Sequence, residues 1–288
     1  MVDDAWKEMA PQFQRPGPEP SSCSDSELLT MALVGECQGW DRETELLGHW
    51  KKHPDLFPHQ PSQSRFNRRR RQLQQALNLL RARILRQLDL AQDRQCVMDS
   101  LPVEVVAFHH APRASSQWRA AGATYGRVTA KHMTFFGYKL HLLTTLSGVI
   151  LDWVLVAAHI RDLPVAEDLL DHHADLTVLG DKAYISAPVA ADLWQRRRIR
   201  LLTLPKRNHR RQLPTAWHKP FEDARRIIET LNSQLTEQFR LERNHAHSLF
   251  GLSARLATKL TAHVLCVYLN RLLGAVDCLH IKHLAFPI

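Results

Sequence analysis

Three acidic residues in this sequence are hard to account for as ordinary surface. They are Asp99 in the run QCVMDSLPV, Asp181 in LTVLGDKAY and Glu229 in FEDARRIIETLNSQLTEQF. Cys96, Val97, Met98, Leu101 and Val103 surround Asp99, and an unpaired carboxylate buried among such neighbours costs several kcal/mol. Three carboxylates that converge would suit a hard divalent ion such as Mg²⁺ or Mn²⁺, which keeps positions open for water and phosphate oxygens. Two such ions about 4 Å apart can activate a water or a 3′-hydroxyl on one side of a phosphodiester and stabilise the leaving oxygen on the other. The chemistry implied is phosphoryl transfer with two metal ions. Each residue also has a plainer reading: an aspartate at a strand end caps turns, and Glu229 stands four residues after Arg225, a spacing that pairs on a helix.

The elements that must position these carboxylates can be read from periodicity. Ser24 to Glu27 has the form of a capping box opening a helix, and RETELLGHWKK reads as a second. A third, from Arg65 to Leu88, places Leu73, Leu77, Leu80, Ile84 and Leu88 on one face. It leaves Arg65 and Arg68 to Arg71 at its start, where they could meet phosphates. The pattern then changes to strands: QCVMDSLPV, then FFGYKLHLLTTL and VILDWVLVAA joined by a tight turn as an antiparallel hairpin. The segment between Glu104 and Thr134 reads as a long polar loop, in which Trp118 could stack on an extruded base. Helices alternating with strands follow, and alternation implies parallel neighbours. The order three strands, helix, strand, helix, strand, helix predicts an α/β fold with a ribonuclease H-like mixed five-stranded sheet. In that topology the first strand lies beside the fourth, which brings Asp99 next to Asp181, while Glu229 reaches them from the helix after the last strand.

Composition narrows the partner. The chain has 288 residues and a net charge of +9. Residues 61–94 hold nine arginines against two aspartates, and residues 193–219 hold nine basic residues and no acid. Residues 95–192 hold seven basic and ten acidic residues, so basic blocks flank an acid-bearing middle, as expected for a polyanion partner. Lys139 and His141 share one face of a strand and Lys182 adjoins Asp181; with Arg207 and Arg225 they are candidate contacts to a DNA backbone. The five cysteines include no C-x-x-C, and neither His109-His110 nor His172-His173 has zinc-ligand spacing. The most apolar stretch, from Leu256, is interrupted by Lys259, His263, Asn270 and Arg271, so no membrane span is expected. With no secretory signal read at Met1 to Pro20, a cytoplasmic protein is expected.

The motifs MDSLPV, FFGYKLHLL, LGDKAYIS and RRIIETLNSQLTEQF, preceded by SQSRFNRRRRQL, together resemble the bacterial insertion-sequence transposases of the family numbered 982, a branch of the DDE transposases. The likeness runs from about Ser62 to the last long helix. It implies that Asp99, Asp181 and Glu229 are the metal-binding catalytic triad. It further implies an enzyme that binds the terminal inverted repeats of its own element, cleaves the DNA there and joins the 3′-hydroxyl ends to target DNA, as a homodimer or higher assembly. The domains expected are residues 1–94, helical and DNA-binding; 95–240, ribonuclease H-like and catalytic; and 241–288, a helical extension packed on that core. The family usually carries glycine where Ala183 stands. The alternatives are a catalytically silent, transposase-derived DNA-binding protein and another ribonuclease H-like nuclease. A phosphatase of the aspartyl-phosphate type would want D-x-D, and Leu101 occupies its second position.

Overall fold

The computed structural model describes residues 1–13, 23–90, 93–128, 133–204, 215–243 and 245–285. The chain forms two compact units, one made of Met1–Asp89 and Gln234–Ile288, the other of Leu90–Ser233.

The first unit is helical, with α1 (Val2–Met9), α2 (Asp25–Cys37), α3 (Glu43–Trp50), α4 (Gln63–Gln72) and α5 (Gln74–Gln87). Ser24 caps α2 as expected: its hydroxyl accepts from the Glu27 amide at 3.2 Å, and the Glu27 carboxylate accepts from the Ser24 amide at 2.6 Å. The helix expected to run unbroken from Arg65 to Leu88 is interrupted at the buried Leu73, which ends α4 and begins α5. The inward face changes there, from Phe66, Arg69 and Arg70 to Leu77, Leu80 and Ile84.

A long helix from the later part of the chain, Leu249–Leu272, packs against α2 and α5 in this unit. Residues 241–288, expected to pack on the catalytic core, are therefore grouped with the amino-terminal helices. The unit's interior is partly ionic. Lys259, only 1% exposed, donates to the Glu36 carboxylate at 2.6 Å and to the Phe239 carbonyl. Such polar residues are what interrupt the apolar run from Leu256, and among the described residues no helix is long and apolar enough to cross a membrane.

The second unit holds a mixed six-stranded sheet flanked by helices, in the ribonuclease H-like order. Its strands are β1 (Gln95–Val106), β2 (Thr124–Val128), β3 (Met133–Thr145), β4 (Ile150–Ala157), β5 (Thr177–Gly180) and β6 (Arg200–Thr203). The predicted hairpin is β3 and β4, antiparallel. β1 lies at the centre, antiparallel to β3 and parallel to β5, and β6 is parallel to β5. The sixth strand, β2, arises inside the segment read as a loop and pairs with the first part of β3. It is only five residues long, too short for its alternation to stand out from polar surroundings. The same segment holds the short helix α6 (Ser116–Ala120), which buries Trp118 to 3% exposure, so this ring is core and not a stacking platform for a base. Gly137 is required where β1 bulges: its φ is +156°, and a β-carbon there would stand 2.2 Å from the Val103 carbonyl.

The helices α7 (Asp162–Leu170) and α8 (Ala187–Arg197) cover one face of the sheet, where Ala166, Leu169, Leu170 and Leu193 pack with Cys96, Met98, Leu143 and Val178. Against the other side of β1 lies α9 (His218–Ser233), with Phe221, Ala224, Ile228 and Leu231 as its buried stripe.

One buried histidine in the first unit gives a pH test. Gln234 donates its amide N–H to the Leu279 carbonyl at 2.6 Å, so its oxygen faces His263 Nε2 at 2.9 Å, and that nitrogen must carry the proton. Burial pushes the His263 pKa down to about 3, so the folded form holds the neutral ring while the unfolded chain protonates near pH 6.5. The contribution to stability is complete above pH 6.5 and shrinks as pH falls from there towards 3, by up to about 1.4 kcal/mol per pH unit. Urea unfolding at a series of pH values is expected to show a His263→Gln variant losing less stability across this window than the parent; equal losses would rule the assignment out.

Candidate active site

The parallel pairing of β1 with β5 ends at Met98 opposite Gly180. The next residue of each segment is an aspartate: Asp99 within β1 and Asp181 just past the end of β5, at the same level of the sheet. Gly180 gives this end its close packing, because a β-carbon there would stand 3.0 Å from the Tyr184 ring. Asp181 then begins a 3₁₀ turn, its Oδ1 accepting from the Ala183 amide at 2.7 Å. From α9, Glu229 and Asn232 face the same space. All four line one cavity of about 570 Å³, walled by Val97, Leu179, Phe221, Ala224 and Ile228. Lys182 and Arg225 also line it.

The carboxylates differ in surroundings. Burial raises the Asp99 pKa above the usual carboxylate value; hydrogen bonds from the Ser100 amide and from Asn232 oppose the rise, and the charges of Asp181 and Asp162 add to it. Asn232 Nδ2 donates to Asp99 Oδ2 at 3.1 Å. This contact was absent from the sequence reading, although Asn232 stands three residues after Glu229, one turn further on the same helix. Asp181 is exposed, and Glu229 is bound by Arg225, whose Nε donates to Oε1 at 2.9 Å.

The all-oxygen donors and the desolvated Asp99 beside Asp181 fit a hard divalent cation. Even so, no three His, Cys, Asp or Glu side chains are grouped tightly enough, among the described residues, to form a ready metal site. The Arg225–Glu229 pair is exposed on both sides (80% and 65%). Exposed pairs at this helical spacing are worth about 0.3–0.5 kcal/mol, so releasing Glu229 towards a cation would cost little.

The candidate DNA contacts fall into distinct environments. Arg69 is buried and forms a two-pronged bond with Asp25, at 2.8 and 2.6 Å. Arg70, 2% exposed, donates to Glu43 at 2.7 Å. Both are internal ion pairs, not groups facing solvent, because acids distant in sequence fold against them. Arg71 is half-buried, and Arg65 and Arg68 are exposed. Lys139 is bound to Asp162. His141 is fully buried, 3.7 Å from the Asp162 carboxylate, and desolvation lowers its pKa to about 4, so it is a neutral core residue rather than a cationic contact. Lys182 is exposed. Arg207 lies outside the described residues.

Two outcomes follow from these placements. Replacing Arg70 by Gln leaves Glu43 with less of its buried compensation, and breaking such pairs typically costs about 3–5 kcal/mol. Urea unfolding is expected to show that loss, and a variant as stable as the parent would return Arg70 to the list of surface contacts. Asn232→Ala removes a partner of the Asp99 carboxylate, and if Asp99 is a metal ligand, loss of such a partner is expected to weaken divalent-ion binding by roughly 10–100-fold. Calorimetric titration with Mn²⁺ checks it, and unchanged affinity would show that Asn232 does not orient Asp99.

Residues 92–249, just over half of the chain, match the family model of the transposase DDE domain. No curated protein and no solved structure gives a significant match.

Proposed function

The chain belongs to the transposase DDE-domain family, whose members act on DNA with divalent metal ions, and from that premise we propose that it is the transposase of a bacterial insertion sequence of the family numbered 982. In this reading it binds the terminal inverted repeats of its element, cleaves the DNA at the element ends and joins the freed 3′-hydroxyls to target DNA. The single observation that carries the reading is the cavity where the pairing of β1 with β5 ends, onto which Asp99, Asp181 and Glu229 all open.

The two reactions are one kind of displacement. Water attacks the phosphorus at the element end, the bond to the 3′-oxygen breaks, and that oxygen departs with a proton as a 3′-hydroxyl. The hydroxyl then attacks a phosphodiester of the target, releasing a 3′-hydroxyl from the target strand. Mg²⁺ or Mn²⁺, two ions in this reading, would supply neutralisation of the charge developing on the phosphoryl oxygens.

The chain's own residues do the rest. Asp99 and Asp181 present oxygens from adjacent segments at the centre of the sheet, where the pairing of β1 with β5 ends, and Asn232 holds one Asp99 oxygen in place. Val97, Leu179, Phe221 and Ile228 give the cavity apolar walls that limit bulk water. Lys182 and Arg225, which line the cavity beside Asp181 and Glu229, are the proposed contacts to the scissile backbone. Arg65 and Arg68 are proposed to contact DNA away from the chemistry. Because two element ends must be joined, the working form is a homodimer or a higher assembly, in the bacterial cytoplasm.

The test is cleavage of a duplex carrying the element end. Asp99→Asn, Asp181→Asn and Glu229→Gln are each expected to lower Mg²⁺-dependent cleavage by at least 10³-fold while leaving duplex binding within about threefold, since each removes a ligand charge and little shape. Cleavage at the parent rate by any one of them would remove that residue from the catalytic set.

A further inference from the structure

At the end of the sheet opposite the carboxylates, β6 is an edge strand beginning at Arg200, which pairs with Thr177 at the start of β5. Just before it, α8 ends at Arg198 in the left-handed conformation (φ 56°), with the Arg198 and Ile199 amides donating back to Trp194 and Leu193. This turn sets Arg198 and Arg200 about one ring. The Arg198 guanidinium lies 5.5 Å from the Trp194 ring centre and that of Arg200 5.6 Å, while Trp194 remains 43% exposed.

The neighbouring arginines behave differently. Arg196 bonds to Asp171 and Asp192, and Arg197 bonds to Asp171. Two of the four arginines are thus neutralised within the fold. Arg198 and Arg200 are exposed and lie over an aromatic face, which attracts a guanidinium without neutralising its charge. No acidic residue occurs between Leu193 and Lys219, and the sequence adds Lys206, Arg207, Arg210 and Arg211 after β6.

We propose that Trp194, Arg198 and Arg200 form a docking surface for the phosphodiester backbone of duplex DNA, separate from the carboxylate cavity. Two oriented guanidinium forks match phosphate geometry, and the ring fixes their spacing. Contacts to the backbone position DNA without reading its sequence, so the surface grips DNA of any sequence and gives the catalytic unit a second hold on a strand engaged at the cavity. The inference rests on DNA being the partner, as proposed above, but not on the metal chemistry.

The test measures binding of the full chain to a fluorescein-labelled 40-base-pair duplex of arbitrary sequence, by anisotropy across a range of salt concentrations with EDTA present. Each phosphate contact contributes roughly 0.9 to the slope of log affinity against log salt. The Arg198→Gln/Arg200→Gln double variant is expected to flatten the slope by about 1.8 and to weaken binding by at least ~5-fold at 0.1 M salt. Arg196→Gln, whose charge is already taken up by Asp171 and Asp192, is expected to leave the slope unchanged. Trp194→Leu is expected to weaken binding without changing the slope, and circular dichroism verifies that each variant is folded. Curves for the folded double variant that overlay the parent's would overturn the proposal. So would a loss confined to poly-glutamate binding, which would identify an acidic protein as the partner. A parent chain that binds no duplex at all would sink the DNA reading as a whole, whereas an unchanged slope sinks this surface alone.

Discussion

A carboxylate halfway along a central strand loses most of its hydration, and Asp99 recovers part of that loss from the Ser100 amide and from Asn232. With Asp181 following at the same level just past β5, its charge adds to the cost of ionising Asp99. The rest of the catalytic unit can be understood from that tension. The sheet fixes the two aspartates side by side, α9 supplies an amide and a third carboxylate, and the bulge at Gly137 lets β1 continue past the site without breaking its pairing with β3. A positive ligand, as proposed above, would relieve what the protein leaves uncompensated, and the burial that makes Asp99 expensive in the free protein would then make it a strong donor to a cation.

The contrast between Asp99 and Glu229 shows how unevenly the site is prepared. Asp99 is held by the fold, whereas Glu229 is held by Arg225, in an exposed pair of small worth. One carboxylate is therefore fixed and the other adjustable, and in the proposed reading assembly of the site is a matter of turning one helical side chain rather than moving a strand. Asn232 belongs with the rigid part, since it ties the α9 backbone to the β1 carboxylate within one turn of Glu229.

Much of this was legible in the sequence because strand order is set by local patterns. The apolar run around Asp99, the hairpin of β3 and β4, the Ser24 capping box and the stripe along α9 each depend on near neighbours, and the sheet order followed from their succession. What escaped depended on residues far apart. The run Arg68 to Arg71 reads as a basic surface until Asp25 and Glu43 are found against Arg69 and Arg70. His141 alternates with apolar neighbours as an outward residue would, yet α7 covers that face. β2 and the break at Leu73 are short features in which tertiary packing outweighed the local signal.

The first unit is assembled from two stretches of chain, one ending at Asp89 and the other beginning at Gln234. Its inner charges respect that division unequally. Asp25 meets Arg69 and Glu43 meets Arg70 within the first stretch, but Glu36 waits for Lys259 and Asp41 for Arg240. During synthesis a ribosome delivers those partners some 200 residues later, at about 5–20 residues per second, so Glu36 stays solvated or unsatisfied for on the order of ten seconds or more. The catalytic unit, contiguous from Leu90 to Ser233, has all of its own segments in hand before that delay ends. Nascent chains therefore pass through a stage in which the sheet can form while the helical unit cannot close, because the ion pair of Glu36 with Lys259 is made only after every segment of the sheet has been synthesised.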